Sequence, residues 1–149
     1  MEIFDQIRES NRIEGIYRDP TAAEIAEHHR FLCLYRVTVA DLQTFVSVYQ
    51  PDAVLRDKVG LDVRVGNHIP PRGGPHVVAQ LNEILIAAHD MRSSNTPFKT
   101  HLAYETLHPF TDGNGRSGRM LWYWQMLGQP AAKLGFLHAF YYQSLQNSR

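Results

Sequence analysis

His108-Pro109-Phe110-Thr111-Asp112-Gly113-Asn114-Gly115-Arg116-Ser117-Gly118-Arg119 is the stretch that decides the fold. It gathers a titratable base, a carboxylate, an amide between two glycines and two arginines into one short window. Met120-Leu121-Trp122-Tyr123-Trp124 follows at once and is apolar on nearly every side. A helix of that kind belongs in the middle of a fold. The expected structure is a buried helix whose N-terminus opens on the polar loop, with Gly128 and Pro130 as its stop signal.

The chemistry of the loop follows from that placement. The first turn of a helix carries unpaired backbone N–H groups and the positive end of the helix dipole. Glycines just before it let the backbone approach a ligand and adopt positive φ. Gly113, Asn114 and Gly115 therefore read as an anion cradle suited to phosphate. Arg116 and Arg119 are three apart, share roughly one face of the first turn and can fork onto phosphate oxygens. Asp112 has the wrong sign for phosphate unless a divalent cation lies between them, which points to Mg²⁺, with Mn²⁺ as the alternative. His108 can take a proton near neutral pH. The loop reads as a site for a polyphosphate nucleotide with its cation and a base beside it. A glycine-rich turn before a helix is most often only a turn, but base, carboxylate, Gly-Asn-Gly and paired arginines rarely share one window by accident.

His108 to Arg119 resembles the signature of the Fic (filamentation induced by cAMP) domain, HPFxDGNGRxxR, at every fixed position. Thr100 to Leu107 is similar to the helix leading into the Fic loop, and Tyr141-Tyr142-Gln143-Ser144-Leu145 to a frequent late-helix pattern. The resemblance implies an all-α bundle with a small β-hairpin flap near the active site. It also implies transfer of AMP from ATP to a Ser, Thr or Tyr hydroxyl of a target protein. In that scheme His108 is the base, Asp112 holds the metal, Asn114 touches the α-phosphate, Arg116 serves the β-phosphate side and Arg119 the γ-phosphate. Phe110 is expected to anchor the loop in the core.

Ser10-Asn11-Arg12-Ile13-Glu14-Gly15 resembles the inhibitory motif of Fic proteins, [S/T]xxxE[G/N]. The resemblance implies that residues 1–16 form an inhibitory helix whose Glu14 pairs with Arg119. A carboxylate there would occupy the donors meant for the γ-phosphate. The plain alternative is a helix ending at a glycine cap with a solvated glutamate.

Composition bounds the rest. At 149 residues the chain is expected to be a single domain, 1–149, able to bury a core without staples. Fifteen residues of each charge sign give no electrostatic case for nucleic acid or an anionic membrane. Cys33 is the sole cysteine and reads as a small buried helix residue, so no disulfide framework exists. Met1-Glu2-Ile3-Phe4-Asp5 lacks the pattern of a signal peptide, and no apolar run reaches membrane-spanning length. A cytoplasmic protein is expected. The sequence leaves homo-oligomerisation open.

Ile3 and Ile7 suggest a first amphipathic helix over residues 2–14. Thr21-Ala22-Ala23-Glu24 is a capping box opening a helix that runs to about Arg36, with Ile25, Leu32 and Tyr35 on its apolar side. His28 and His29 fall on different faces. Thr38 caps the next helix, carrying Leu42, Phe45, Val46 and Tyr49. Val59, Leu61, Val63 and Val65 alternate with polar residues and glycines, the period of a strand. In Fic proteins the flap lies here, and the resemblance implies that a target protein docks around residues 59–65 as an added strand. A helix follows from Val77 to about Met91, another begins at Thr96-Pro97, and Leu134, Leu137 and Tyr141 mark a last one.

Other activities fit the same residues. A Fic scaffold can transfer UMP or phosphocholine, and Glu14 orienting a water would favour removal of AMP. A non-catalytic nucleotide-binding module, locked by its own helix, is the alternative of another class.

Overall fold

The structure is a computed structural model that describes residues 2–90 and 97–126. The described residues form six helices: α1 (Ile3–Ile13), α2 (Ala22–Leu32), α3 (Val39–Tyr49), α4 (Pro75–His89), α5 (Pro97–Leu107) and α6 (Asn114–Gln125). Thr96, the stop signal at Gly128 and Pro130, and the helix expected around Leu134 to Tyr141 lie outside the described residues.

Local chemistry sets several helix ends. Thr21 Oγ1 accepts the Glu24 N–H at 3.1 Å, and Glu24 Oε1 accepts the Thr21 N–H at 2.8 Å, a complete capping box. Thr38 and Asp41 repeat the arrangement at α3. Gly15, at φ +78, closes α1. Its N–H bonds the Arg12 carbonyl while that of Ile16 bonds the Asn11 carbonyl, the two bonds of a Schellman motif.

The expected central helix is α6. It packs against α1, α2, α3 and α5. Met120 and Leu121 are buried with Phe31, Phe45, Val46, Leu81 and Tyr104 in one apolar cluster. Phe110 belongs to the same cluster, so it anchors the loop as expected.

Three expectations are corrected. First, α2 ends at Leu32, not near Arg36, and its buried face is Glu24, Glu27, His28 and Phe31, while Tyr35 is 84% exposed. The carboxylates are tolerated there because Arg18 pairs with Glu24 and Arg30 with Glu27. The chain leaves the helix where Trp124 Nε1–H donates to the Leu34 carbonyl at 2.9 Å. Second, Cys33 is exposed, because it falls at the C-cap rather than inside α2. Third, the alternation from Val59 to Val65 makes no strand among the described residues. A single antiparallel bridge joins Val65 to His68 around Gly66, and another joins Leu55 to Phe110. The segment spends its polar groups elsewhere: Asp62 Oδ1 accepts the Gly73 N–H at 2.9 Å, and the Leu61 carbonyl accepts from Arg56. Val59 is 90% exposed, so the alternation marks no buried face.

His28 is buried while His29 is exposed, as their positions on the helix required. Burial drives the His28 ring down to about 4 from 6.5, against the opposing pull of Glu24. Between those values the unfolded chain takes up a proton that the folded ring refuses. Stability is therefore full above the unfolded value and falls as pH drops toward the folded one, by up to roughly 3 kcal/mol for this group. His28→Gln is expected to remove that part of the acid slope. Urea midpoints at neutral pH and at about pH 5 check it, and a variant with the wild-type slope would assign the loss to Glu24 and other carboxylates.

Candidate active site

The N-terminus of α6 faces a cavity of about 400 Å³ lined by Glu14, His108, Asp112, Gly115, Arg116 and Arg119. Val63, Arg64 and Val65 close another side of it. A larger hollow of about 710 Å³ lies between α4 and α5, but its lining is mainly apolar and holds neither arginine of the signature loop.

Gly113 is the N-cap of α6 at φ +79, a backbone region costly for any residue with a Cβ. No side chain caps the helix, so its first-turn N–H groups keep the dipole's positive end in the cavity. The Gly113 N–H itself is taken by Asp112 Oδ1 at 2.7 Å. Asn114 is turned inward: its Oδ1 accepts the Phe110 N–H and its Nδ2–H donates to the Phe110 carbonyl, both at 2.8 Å. That amide staples the loop shut, so the side chain expected to reach an α-phosphate holds the loop's shape instead. Ser117 Oγ bonds Tyr104 Oη at 2.7 Å and pins α6 to α5.

The two arginines differ. Arg119 is 1% exposed. Its Nε–H donates to Ser10 Oγ at 2.8 Å, and Nη2–H donates to the Ser10 carbonyl at 3.1 Å and to Glu14 Oε1 at 2.6 Å. Ser10 in the last turn of α1 and Glu14 at its C-cap are four apart, so both meet the same guanidinium. Gly115 makes room for this: a Cβ there would run into Glu14 Oε1. Arg116 is 6% exposed and lies over the Tyr49 ring, 4.9 Å from its centroid. Its Nε has no hydrogen-bond partner among the described residues. Burial lowers its proton affinity, while Glu14, Tyr49 and Asp112 pull the other way. A buried guanidinium with an unmatched donor is prepared for an anion that completes it.

His108 has φ +54, unusual for a residue with a Cβ. Its Nδ1 lies 3.2 Å from the Glu105 carbonyl oxygen, an atom that only accepts. Nδ1 therefore carries the proton of the neutral ring, and Nε2 is its basic atom.

The sequence-derived residues Glu14, His108, Asp112, Gly113, Asn114, Gly115, Arg116 and Arg119 are thus brought together, with Ser10 behind Arg119 and Gly15 shaping the turn. Two residues were missed. Tyr49 was read as core, yet it is the shelf under Arg116. Arg56 had no motif around it, yet it is fully buried against the loop. The donor set offers a cation one loop carboxylate, Asp112. No group of three or more His, Cys, Asp or Glu side chains among the described residues could hold a metal alone. The residues fit Mg²⁺ that arrives with phosphate oxygens as co-ligands.

Among the described residues no helix is long and apolar enough to cross a membrane. A comparison with curated proteins gives no match. The model of the Fic/DOC family matches residues 3–126, which span all six helices and the loop whose geometry has just been described, and the chain belongs to that family.

Proposed function

We propose that the chain is a protein adenylyltransferase held in check by its own N-terminal helix. It takes AMP from ATP and places it on a Ser, Thr or Tyr hydroxyl of a target protein. Family membership supports a transferase of nucleotide moieties in general. The observation that carries the finer reading is the meeting, in one cavity, of a base at His108, a buried guanidinium at Arg116 whose Nε has no partner among the described residues, and a second guanidinium already engaged by Glu14.

In this reading the triphosphate lies on the first turn of α6, with Arg116 on its β-phosphate side. Arg119 is the γ-phosphate ligand once Glu14 leaves it. Asp112 would hold Mg²⁺ or Mn²⁺ together with phosphate oxygens, and the cation would supply charge neutralisation for the leaving pyrophosphate. The target hydroxyl attacks the α-phosphorus, its proton passes to His108 Nε2, and the bond to pyrophosphate breaks. Positioning and charge stabilisation supply most of the rate, as in phosphoryl transfer. Target docking around residues 59–65 is supported by Val63, Arg64 and Val65 lining the same cavity. A cytoplasmic setting belongs to the same reading, supported by a single, unpaired Cys33. Removal of AMP is the second reading, favoured by the Glu14 carboxylate standing in the cavity where it can orient a water.

The test is mass spectrometry of a protein lysate incubated with the chain and ATP·Mg²⁺, with UTP and activated phosphocholine in parallel. An added adenylyl group on a hydroxyl residue, with ATP alone, is the expected result. Modification only by another donor would replace the reading, and release of AMP from modified protein would favour the second one. Asp112→Ala is expected to lose transfer even at saturating ATP, as is the wild-type site in excess chelator. Full activity in chelator would remove the metal from the scheme.

A further inference from the structure

We infer that Arg56 is a positioning residue that fixes the base His108 and the cavity segment around Val63–Val65 in a single frame. Its side chain is 0% exposed, a buried cation in the loop between α3 and α4. It meets four carbonyls. Nε–H donates to the His108 carbonyl at 2.6 Å and Nη2–H to that of Leu107 at 2.7 Å. Nη1–H donates to Leu61 at 3.1 Å and Pro71 at 2.8 Å. Its own N–H bonds the Pro109 carbonyl at 2.9 Å, and its carbonyl accepts the Gly74 N–H at 3.0 Å.

The arrangement has a physical logic on each side. Leu107 ends α5, where carbonyls lack intrahelical partners and the dipole is negative. A cation there is stabilised without any carboxylate in contact. Burial lowers the proton affinity of Arg56 and Asp62 opposes that, but a guanidinium stays charged. Taking a cation out of water is costly, so it marks a place where the structure needs its fork. His108 holds a positive φ, a conformation that is strained for a residue with a Cβ and persists only when its surroundings enforce it. The bond from Arg56 Nε–H to the His108 carbonyl fixes the peptide plane behind the imidazole, and so the direction of Nε2. The bonds to Leu61 and Pro71 grip both flanks of the segment holding Val63, Arg64 and Val65. His68 Nε2, 2.9 Å from the Thr106 carbonyl, adds a tie from the same segment to α5. Lysine cannot reproduce this, because three donors on one atom do not span two pairs of carbonyls.

The kinetic arm of the test rests on the adenylyl-transfer reading; the spectroscopic arm does not. Arg56→Lys and Arg56→Met are made in wild type and in Glu14→Gly. The His108 ring resonance, assigned by its absence in His108→Ala, is followed by NMR against pH without nucleotide, beside thermal unfolding, ATP affinity and turnover. Arg56→Lys is expected to unfold cooperatively and bind ATP within a few-fold of its parent. Its His108 resonance and titration midpoint shift, and kcat falls on the order of 10²-fold, the scale of a misplacement of about 1 Å. An unshifted resonance or an unchanged kcat overturns the inference. So does loss of cooperative unfolding in Arg56→Lys, which makes the arginine a fold element only, or a drop in ATP affinity that matches the drop in turnover. If the Glu14→Gly parent transfers no AMP, the adenylyl reading fails and the resonance alone decides Arg56.

Discussion

Glu14→Gly is expected to raise AMP incorporation, on targets and on the chain itself, by on the order of 10²-fold or more over wild type. The cause is the occupation of Arg119. Its Nη2–H points at Glu14 Oε1 at 2.6 Å, and its Nε–H is held by Ser10 Oγ at 2.8 Å. In the proposed scheme a triphosphate that cannot recruit Arg119 would still meet Arg116 and the first turn of α6, so nucleotide would bind with its α-phosphorus off line. Removing the carboxylate returns one face of the guanidinium to the cavity and leaves Ser10 to orient it. Glu14→Gly with Arg119→Ala should lose most of the gain, because the carboxylate acts through that arginine. Labelled-AMP incorporation by wild type, both single variants and the double forms the cycle. A Glu14→Gly chain no faster than wild type would reduce α1 to packing and end the autoinhibition reading.

His108→Ala in the Glu14→Gly background is expected to cut transfer by roughly 10²–10⁴-fold, the usual contribution of a general base. ATP affinity should change little, because the proposed phosphate donors are the first turn of α6 and its arginines, and those are secured by Asn114, Ser117 and Tyr49. Single-turnover incorporation beside calorimetric ATP titration separates the two effects. Near-parent transfer by the variant would remove His108 from proton transfer. Equal losses of affinity and rate would make it a phosphate ligand instead.

What the sequence determined by itself is the chemistry carried by short spacing. Gly113 before the apolar run placed a helix N-terminus at the polar loop, and with it an anion-favouring end, since first-turn donors and the dipole are properties of any helix. Thr21 with Glu24 and Thr38 with Asp41 set helix starts, since a capping box is complete within four residues. Gly15 set the end of α1 for the same local reason. The face of α2 was not legible in this way. Ile25, Leu32 and Tyr35 read as its apolar side, whereas Glu24, Glu27 and His28 are the buried ones because Arg18, Arg30 and Tyr49 come to meet them. The strand expected over Val59 to Val65 failed likewise, because period-two alternation describes an extended chain but cannot supply a partner for its ladder. The resemblance to the inhibitory motif proposed the pair of Glu14 with Arg119, residues 105 apart, but only the packing of α1 against α6 brings the carboxylate to 2.6 Å. Arg56 is the plainest case. A lone arginine in a loop carries no spacing to read, and its role exists only because the ends of α5 and of the Leu61–Pro71 segment converge on one buried fork. Burial and long-range hydrogen bonding assign such residues, and both belong to the folded chain rather than to any window of its sequence.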